Sequence, residues 1–175
     1  MKKQDTLENQ VNFAYLAIGT NLGKKIYNIE KVKFLLNSMN INVLKISKFY
    51  HTKSWPNKSF PEFINVVILV KTKLELPILF NKLKYIERLM GRINKPRNYP
   101  RICDIDIIDF NGKKLKIKTL NNKIEVPHAR MHKRNFVLMP LYEINKSWIH
   151  PKFKKNIVKL ILSLTTSDLR SIKFS

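Results

Sequence analysis

The sequence predicts an α+β fold, specifically a ferredoxin-like βαββαβ sandwich with an added C-terminal hairpin and helices. Two segments carry apolar residues at helical spacing, and four segments rich in strand-forming residues lie before, between and after them. The chain has 175 residues, enough for one domain with a sizeable core, and no change in composition marks a linker. Residues 1–175 are therefore expected to form one domain, of which 1–12 are a short polar extension.

The first half of the predicted core is a strand, a helix and a second strand. The apolar segment FAYLAI at 13–18 predicts the first strand. Apolar residues then recur every three or four positions at 26–39, which is typical of an amphipathic helix. The segment NVLKISKFY at 42–50 alternates between apolar and polar residues, and it predicts the second strand.

The second half of the core is again a strand, a helix and a strand. The apolar segment FINVVILV at 63–70 predicts a buried strand. The amphipathic helix at 76–90 is expected to end at Gly91, because glycine readily adopts the left-handed conformation that closes a helix. The last core strand is RICDIDIID at 101–109, which contains neither glycine nor proline and is rich in β-branched isoleucine.

The C-terminal part of the chain adds elements to this core. The sequence NGK at 111–113 signals a hairpin, with KLKIK and KIEV as its arms. Helices are predicted at 133–144 and 155–164, where they are expected to cover one side of the sheet.

The net charge of +22 admits two interpretations. Clustered Lys and Arg residues are typical of nucleic-acid binding. The lysines are spread along the whole chain, however, which favours a surface that is basic by composition. The arginines are more informative, because six of the seven lie between 88 and 134. Guanidinium groups bind phosphate oxygens well, so this clustering indicates a phosphate site.

Two carboxylates lie close together on the last core strand. The side chains of Asp104 and Asp106 leave the strand on the same face, with their Cα atoms roughly 6.5–7 Å apart. The opposite face carries Cys103, Ile105 and Ile107 and is expected to pack in the core. Like charges at this spacing repel, so the aspartate face needs positive charge nearby unless the two acids are simply solvated.

The surroundings of the aspartates favour a triphosphate site. Carboxylates that hold Mg²⁺, with arginines around them, are the recurring apparatus for binding triphosphates. Arg101 precedes the aspartates, and a Pro-His turn with further cations follows in VPHARMHKRNF. The loops at 51–62 and 92–101 are long and contain proline and cations, so they are either lids over a ligand or solvated connectors.

Other classes of site find little support in the sequence. The segment GTNLGKK at 19–25 is one residue short of the P-loop spacing, and no GxGxxG occurs. His128 and His132 favour zinc only weakly, because there is one cysteine and no HExxH. No apolar run is long enough to span a membrane, and the N-terminus lacks the apolar core of a signal peptide. Together with the single cysteine, these features predict a cytoplasmic protein.

Four segments carry a resemblance to a known family. They are AIGTNLG after the first strand, FINVV on the third, YPRICDIDIIDF on the fourth and VPHARMHKRNFVLMPLYEI beyond it. In this order they resemble the 6-hydroxymethyl-7,8-dihydropterin pyrophosphokinase (2-amino-4-hydroxy-6-hydroxymethyldihydropteridine diphosphokinase) family, over residues 13–152. The resemblance implies an ATP-dependent diphosphokinase of folate biosynthesis on a ferredoxin-like core. Such an enzyme transfers pyrophosphate from ATP to the hydroxymethyl group of the pterin and releases AMP.

The resemblance also implies roles for individual residues. Asp104 and Asp106 would hold two Mg²⁺ ions that bridge ATP to the substrate hydroxyl. Arg92 and Arg101 would be lid-loop arginines that act with them in catalysis. Glu87 matches an acid of the family pattern, but the sequence assigns it no role. The implied ATP-binding residues are Arg92, Arg97, Arg101, His128 and Arg134, and the implied pterin-binding residues are Thr52, Trp55, Phe63, Asn65 and Phe136.

Two other interpretations stay open. Ferredoxin-like domains with basic surfaces include RNA-binding modules. Such modules, however, carry stacking aromatic residues on their central strands, and Asp104 and Asp106 on a strand face would repel phosphate without a metal. The second is a non-catalytic relative of the family, and the intact aspartate pair and the arginines speak against it. The expected partners are ATP and hydroxymethyl-dihydropterin, with no specific nucleic acid and no membrane, and a monomer is expected.

Overall fold

The structure of the protein is a computed structural model, which describes residues 10–92, 98–118 and 123–175. Strands and helices are numbered here in chain order. The first elements are β1 Asn12–Thr20, α1 Lys25–Ser38, β2 Asn42–Ile46, β3 Tyr50–Thr52, β4 Phe63–Thr72 and α2 Leu76–Leu89. The later elements are β5 Asp104–Phe110, β6 Leu115–Lys118, β7 Lys123–Val126, a 3₁₀ turn Met131–Lys133, α3 Asn135–Ile144, α4 Ile157–Leu162, α5 Thr166–Arg170 and β8 Ile172–Phe174.

The main sheet has the strand order of a ferredoxin-like core. It is antiparallel and runs β5-β1-β4-β3-β8, with β2 also paired to β4. β2 and β3 lie one after the other along β4, where Val43 is opposite Val70 and His51 is opposite Ile64. With β2 and β3 taken as one interrupted strand, the elements follow the predicted βαββαβ order, and the fold class is confirmed.

The prediction of one continuous strand at 42–50 is wrong. β2 ends at Ile46 and β3 begins at Tyr50. Between them, the backbone N–H of Lys48 donates to the carboxylate of Glu143 on α3, at 3.0 and 3.2 Å, and not to the neighbouring strand. The alternating sequence pattern runs through this interruption, so periodicity alone does not reveal it.

Each face of the sheet packs against helices. α1 and α2 cover one face, where Leu16, Ile68 and Leu83 are fully buried. α3 and α4 cover the other face, where Val67 and Leu138 belong to a second core cluster. These two helices confirm the predicted C-terminal helices, whereas the sequence pattern predicts neither α5 nor β8. Within the described ranges, none of the helices combines the length and apolarity needed to cross a membrane.

β5 shows the alternation that its sequence predicts. Ile105 and Ile107 are buried against α1 and α2, together with Cys103, which precedes the strand. Asp104 and Asp106 lie on the opposite face and are only partly buried. The aspartate pair therefore points to the side of the sheet on which α3 begins.

The predicted C-terminal hairpin is present, but its turn is not the predicted one. β6 and β7 pair antiparallel, with Leu115 opposite Val126, as a separate two-stranded sheet. The NGK sequence forms a tight turn with positive φ at Asn111 and Gly112, but it joins β5 to β6, which lie in different sheets. The residues that connect the two arms, 119–122, lie outside the described part of the chain.

A buried acid joins β5 to the C-terminal helices. The register of β1 against β5 shifts near Ile108, as in a β-bulge, just before Asp109. The carboxylate of Asp109 accepts hydrogen bonds from the indole N–H of Trp148 at 2.6 Å and from the N–H of Gly112 at 2.9 Å. Burial raises the pKa of Asp109, and the hydrogen bond from Trp148 opposes this rise. The second core layer is thus fixed to β5 by a polar contact.

Asp109→Ala is expected to lower the free energy of unfolding by about 1–3 kcal/mol, because the buried indole N–H of Trp148 loses its acceptor. Glu30→Ala is the control, since Glu30 forms a surface ion pair with Lys33, and it should cost less than about 1 kcal/mol. Urea unfolding followed by circular dichroism measures both values. Equal losses in the two variants would contradict the role given to Asp109.

Candidate active site

A cleft of about 810 Å³ opens on the face of the sheet where α3 begins. Residues of β1, β3, β4 and β5, of the two long loops and of the segment that leads into α3 line it. Its cationic lining residues are Lys53, Lys84, Arg92, Arg101, Arg130, Lys133 and Arg134, and its carboxylates are Asp104 and Asp106. This excess of positive charge favours a polyanionic ligand.

The strand register places polar side chains in one row across the floor of the cleft. Gly19 on β1 is opposite Asp104 on β5 and also opposite Asn65 on β4. Residues directly opposite each other in antiparallel strands share a face. A Cβ atom at Gly19 would lie 3.2 Å from Oδ1 of Asn65 and 3.6 Å from the ring of Phe63. Gly19 therefore keeps the floor open between the carboxylate and the amide.

Asp104 pairs with two arginines. Nη1 of Arg92 donates to its Oδ1 and Nη1 of Arg101 donates to its Oδ2, both at 2.7 Å. The backbone N–H of Arg101 in turn donates to Oδ1 of Asn21 at 2.7 Å, which fixes the start of the segment that leads into β5. The positive charge that the aspartate face requires is thus supplied by the two arginines predicted for the lid loop.

Glu87 is a buried carboxylate on α2, behind the ion pairs of Asp104 with Arg92 and Arg101. Its Oε1 accepts a hydrogen bond of 2.7 Å from the N–H of Ile105, and the carboxylate pairs with Lys84 at 2.9 Å and with Arg92 at 2.5 Å. Burial raises the pKa of Glu87, while Lys84, the Ile105 N–H and Arg92 oppose the rise. Burial of Arg92 acts to lower its pKa, but Asp104 and Glu87 outweigh that effect and raise it. Glu87 therefore anchors Arg92 and the start of β5 to α2.

Asp106 faces a second pair of basic side chains. Nη1 of Arg134 donates to its Oδ2 at 3.3 Å, and Nε2 of His128 lies 3.8 Å from the same oxygen. Burial lowers the pKa of His128; Asp106 opposes this effect, and Arg134 and Arg130 add to it. Nδ1 of His128 accepts the N–H of Arg130 at 3.2 Å, so the proton of the neutral ring is on Nε2. His128 thus offers an N–H donor that suits a phosphate oxygen.

Asn65 and its partners form the polar wall at the other end of the row. Asn65 is buried, and its Nδ2 donates to the carbonyl of Tyr50 at 3.2 Å and to Oγ1 of Thr52 at 3.0 Å. These two bonds fix the orientation of the side-chain amide. Its Oδ1 therefore faces the space above Gly19, where it can accept a hydrogen bond from a ligand.

Aromatic side chains line the same cleft. Phe63 and Phe136 contribute from β4 and α3, and Trp55 contributes from the first long loop. The side chain of Trp55 is 75% exposed, so it lies at the mouth. The guanidinium of Arg134 lies 5.5 Å from the ring centre of Phe136, which connects the aromatic wall to the cationic one.

The two long loops contact each other beside the cleft. The rings of Phe60 and Tyr99, one from each loop, are 5.7 Å apart. The first loop is held in shape at Ser54, whose hydroxyl donates to the carbonyl of Pro61 at 2.7 Å and accepts from Nδ2 of Asn21 at 3.2 Å. Closure of the loops over a ligand stays a prediction.

The structure brings the predicted site residues together with one exception. Those that line the cleft are Thr52, Trp55, Phe63, Asn65, Arg92, Arg101, Asp104, Asp106, His128, Arg134 and Phe136. Arg97 lies outside the described residues. The ring of His132 packs against Phe153 at 4.9 Å and is not among the lining residues, so the zinc interpretation gains no support. The ligand that each residue binds stays a prediction.

Sequence reasoning missed several residues of the cleft. Arg130 was counted among the clustered arginines but was given no role, and Lys133 lies in the same VPHARMHKRNF segment, so proximity to the predicted site residues was a usable signal. Lys84 and Gly19 had no comparable signal. Lys84 reaches the cleft because α2 packs against the sheet. Gly19 belongs to the site because it lies opposite Asn65 in the sheet.

A comparison with protein families decides the assignment. The model of the family described as 7,8-dihydro-6-hydroxymethylpterin-pyrophosphokinase (HPPK) matches residues 15–146. The chain belongs to this family. It is 35% identical over 141 residues to the 2-amino-4-hydroxy-6-hydroxymethyldihydropteridine pyrophosphokinase of Aquifex aeolicus, a match that covers 81% of this chain and 85% of that protein. The HPPK resemblance found in the sequence is thus confirmed.

Some relatives of this HPPK chain are much longer proteins. Folic acid synthesis protein FOL1 of Dictyostelium discoideum is 39% identical over 160 residues, which are 87% of this chain but only 22% of that protein. A crystal structure of a double mutant of Plasmodium falciparum HPPK-DHPS with pterin and p-hydroxybenzoate has a TM-score of 0.72 at 17% identity. That match covers 97% of this chain and 48% of the other. The structural likeness confirms the HPPK fold.

Glu87→Ala is expected to lower the free energy of unfolding by about 1–3 kcal/mol, because the Ile105 N–H and two cationic side chains lose a shared acceptor. Glu87→Gln keeps an acceptor for Ile105 and should lose less. Glu125→Ala is the control, since Glu125 forms only a surface pair with Lys116 at 3.5 Å. Urea unfolding compares the three variants, and a Glu87→Ala loss no larger than that of the control would refute the anchor.

Proposed function

We propose that this protein is an ATP-dependent diphosphokinase of folate biosynthesis. It transfers pyrophosphate from ATP to the hydroxymethyl oxygen of 6-hydroxymethyl-7,8-dihydropterin and releases AMP. The observation that carries the proposal is the row across the sheet, in which Gly19 separates Asp104 from Asn65. A triphosphate at the aspartates and a pterin at the asparagine would lie side by side in one cleft. Membership of the HPPK family supports the same reaction.

The proposed chemistry is an in-line displacement at phosphorus. The hydroxymethyl oxygen attacks the β-phosphorus of ATP, the bond from that phosphorus to the α–β bridging oxygen breaks, AMP leaves, and the proton of the hydroxyl group passes to water. Positioning the two substrates next to each other lowers the barrier, because their freedom of motion is lost on binding. Arg92, Arg101 and Arg134 line the cleft beside the two aspartates, where they stabilise the negative charge on the phosphate oxygens.

The aspartate pair fits Mg²⁺ that arrives with ATP. Mg²⁺ is usually held by one or two carboxylates together with waters and substrate phosphates. Asp104 and Asp106 supply two carboxylates that face the cleft. In the described part of the chain, no group of three or more His, Cys, Asp or Glu side chains is placed to hold a metal ion. The two proposed ions would take their remaining ligands from ATP and water, and when bound they would neutralise phosphate charge.

The ion pairs of the site indicate how the chain receives the triphosphate. Asp104 pairs with Arg92 and Arg101, and Asp106 pairs with Arg134. Guanidinium groups bind phosphates as well as they bind carboxylates. On ATP binding, we expect the arginines to turn from the carboxylates to the phosphates while the carboxylates become metal ligands. This exchange leaves the three arginines and the two carboxylates each with a partner of opposite charge.

The polar wall and the aromatic wall suit a flat, hydrogen-bonding ring. Oδ1 of Asn65 would accept an N–H from the polar edge of the pterin, with Thr52 holding the amide in that orientation. Phe63 and Phe136 would pack on the two faces of the ring. Trp55 would cover it from the mouth of the cleft. Most of the recognition thus comes from groups that are already in place.

The remaining proposals concern the whole protein. Residues 1–175 are proposed to work as a single pyrophosphokinase domain, as a cytoplasmic monomer that has no specific nucleic-acid partner and no membrane partner. The even distribution of lysine along the chain supports the proposal on nucleic acid. The single cysteine, Cys103, is buried, and burial raises the pKa of its thiol, which favours packing over chemistry.

Asp104→Asn and Asp106→Asn are each expected to reduce AMP formation at least about 100-fold, because each removes a charged ligand that aligns the metal with the phosphates. The side-chain volume is kept, so the fold should be retained. Chromatography of AMP released from ATP, with Mg²⁺ and hydroxymethyl-dihydropterin present, measures the rate. Glu125→Gln, a change on the β6–β7 hairpin, is the control. Activity within about tenfold of wild type in either aspartate variant would refute the metal assignment.

A further inference from the structure

The last part of the chain, residues 165–175, contains α5 and β8 and is called the C-terminal strap below. It lies beyond residues 15–146, which match the HPPK family. α5 has five residues and β8 has three. Elements this short are not stable alone, so the strap is ordered by its contacts with the rest of the protein.

One set of contacts ties the strap to the polar wall of the cleft. β8 pairs with β3, with Ile172 opposite Thr52 and Phe174 opposite Tyr50. The rings of Tyr50 and Phe174 are 5.9 Å apart. β3 thus lies between β4 and the strap. It supplies both oxygens, the Tyr50 carbonyl and the Thr52 hydroxyl, that orient the amide of Asn65.

A second set of contacts ties the strap to the aromatic wall. Nδ2 of Asn135 donates to the carbonyl of Asp168 and, at 2.9 Å, to the hydroxyl of Ser171. Oδ1 of the same side chain accepts the backbone N–H of Phe136 at 2.7 Å. Asn135 is buried, and it directly precedes Phe136, which lines the cleft. The side chain of Asn135 therefore joins the strap to Phe136, one of the residues of the aromatic wall.

The geometry of α5 makes this second connection rigid. A capping box fixes its first turn, in which the hydroxyl of Thr165 accepts from the N–H of Asp168 at 3.0 Å and donates to the Asp168 carboxylate at 2.7 Å. Ser171, directly after α5, also donates to the carbonyl of Asp168 at 2.8 Å. The two groups that Asn135 binds are therefore held in a defined position relative to each other.

We propose that the C-terminal strap is a positioning device for the pterin, with Asn135 as its key positioning residue. By holding β3 and the start of α3 at the same time, the strap sets the spacing between the polar wall at Asn65 and the aromatic wall at Phe136. This inference rests on the proposed function, because the ligand of those two walls is taken to be the pterin. The strap, which lies beyond the residues that match the family, thus contributes to substrate affinity.

Pterin affinity distinguishes this role from a merely structural one. A strap that only covered the edge of the sheet would change the melting temperature and would leave the substrate constants unchanged. A strap that sets the wall spacing would raise the KM and Kd for the pterin more than those for Mg²⁺-ATP, because the triphosphate binds at the far end of the row.

The test compares Asn135→Ala with Asn156→Ala. Both changes remove one asparagine side chain with hydrogen bonds. The side chain of Asn135 joins the strap to Phe136, whereas that of Asn156 caps α4 through the N–H of Lys159. Pterin binding is measured by calorimetry with Mg²⁺ and a non-hydrolysable ATP analogue, and KM and kcat are measured by AMP release. Asn135→Ala should raise the Kd and KM for the pterin about tenfold and change the Kd for the analogue less than about threefold. Asn156→Ala should lower the melting temperature without moving the pterin constants.

A second variant protects the test against poor folding of the first. Ser171→Ala deletes one of the two acceptors on the strap and should raise the pterin Kd in the same direction by a smaller factor. Unchanged pterin constants in Asn135→Ala and Ser171→Ala, or an equal loss for pterin and ATP analogue, would overturn the strap proposal. Failure of the proposed function is distinct, because wild-type protein would then release no AMP when both substrates are present.

Discussion

Repulsion between two carboxylates on one strand face is the constraint on which the site depends. Asp104 and Asp106 share a face because β5 is regular at that point, and the strand cannot separate them further. Glu87 adds a third negative charge behind them, 2.7 Å from the backbone N–H of Ile105. The four arginines that line the cleft offset this charge, and all of them lie outside the helices and strands. Cations held in this way can leave one anion for another, which an arginine fixed in a packed core cannot do.

The same sheet separates charged recognition from neutral recognition over the width of a single strand. Gly19 lies between the carboxylate of Asp104 and the amide of Asn65, and the absence of a side chain there opens the floor. Metal and phosphate chemistry would take place on the β5 side, whereas β3 and β4 supply oriented neutral groups. The division would let one cleft bind a polyanion and a flat heterocycle side by side.

Local patterns predicted the regular elements because burial on one face leaves a periodic trace. Helix α1 was predicted at 26–39 and occupies Lys25–Ser38, and the two faces of β5 agree with their predicted burial. The break between β2 and β3 and the added strand β8 were missed. Both depend on partners far away in the sequence, namely Glu143 for the first and β3 for the second. No periodicity within a segment records such partners.

For the candidate site, the sequence revealed which residues take part but not how they contact one another. The aspartate pair and the arginines around it were found from spacing and charge, whereas the role of each residue and the pterin-binding residues came from the family resemblance. The contacts of Glu87 and Asn135 were not predictable, because each side chain links elements that meet only in the folded protein. A glutamate on a helix and an asparagine at a helix start are common, and their neighbours in sequence do not reveal their partners.

Exchange of arginine partners between carboxylate and phosphate is tested most directly by the binding of ATP without metal. Calorimetric titration of ATP in the presence of EDTA would compare wild-type protein with the double variant Asp104→Asn, Asp106→Asn. Exchange predicts that the variant binds metal-free ATP about tenfold more tightly than wild type, because its arginines no longer pair with carboxylates. With Mg²⁺ present, the order of the two affinities should reverse. Metal-free ATP binding by the variant that is equal to or weaker than that of wild type would contradict the exchange.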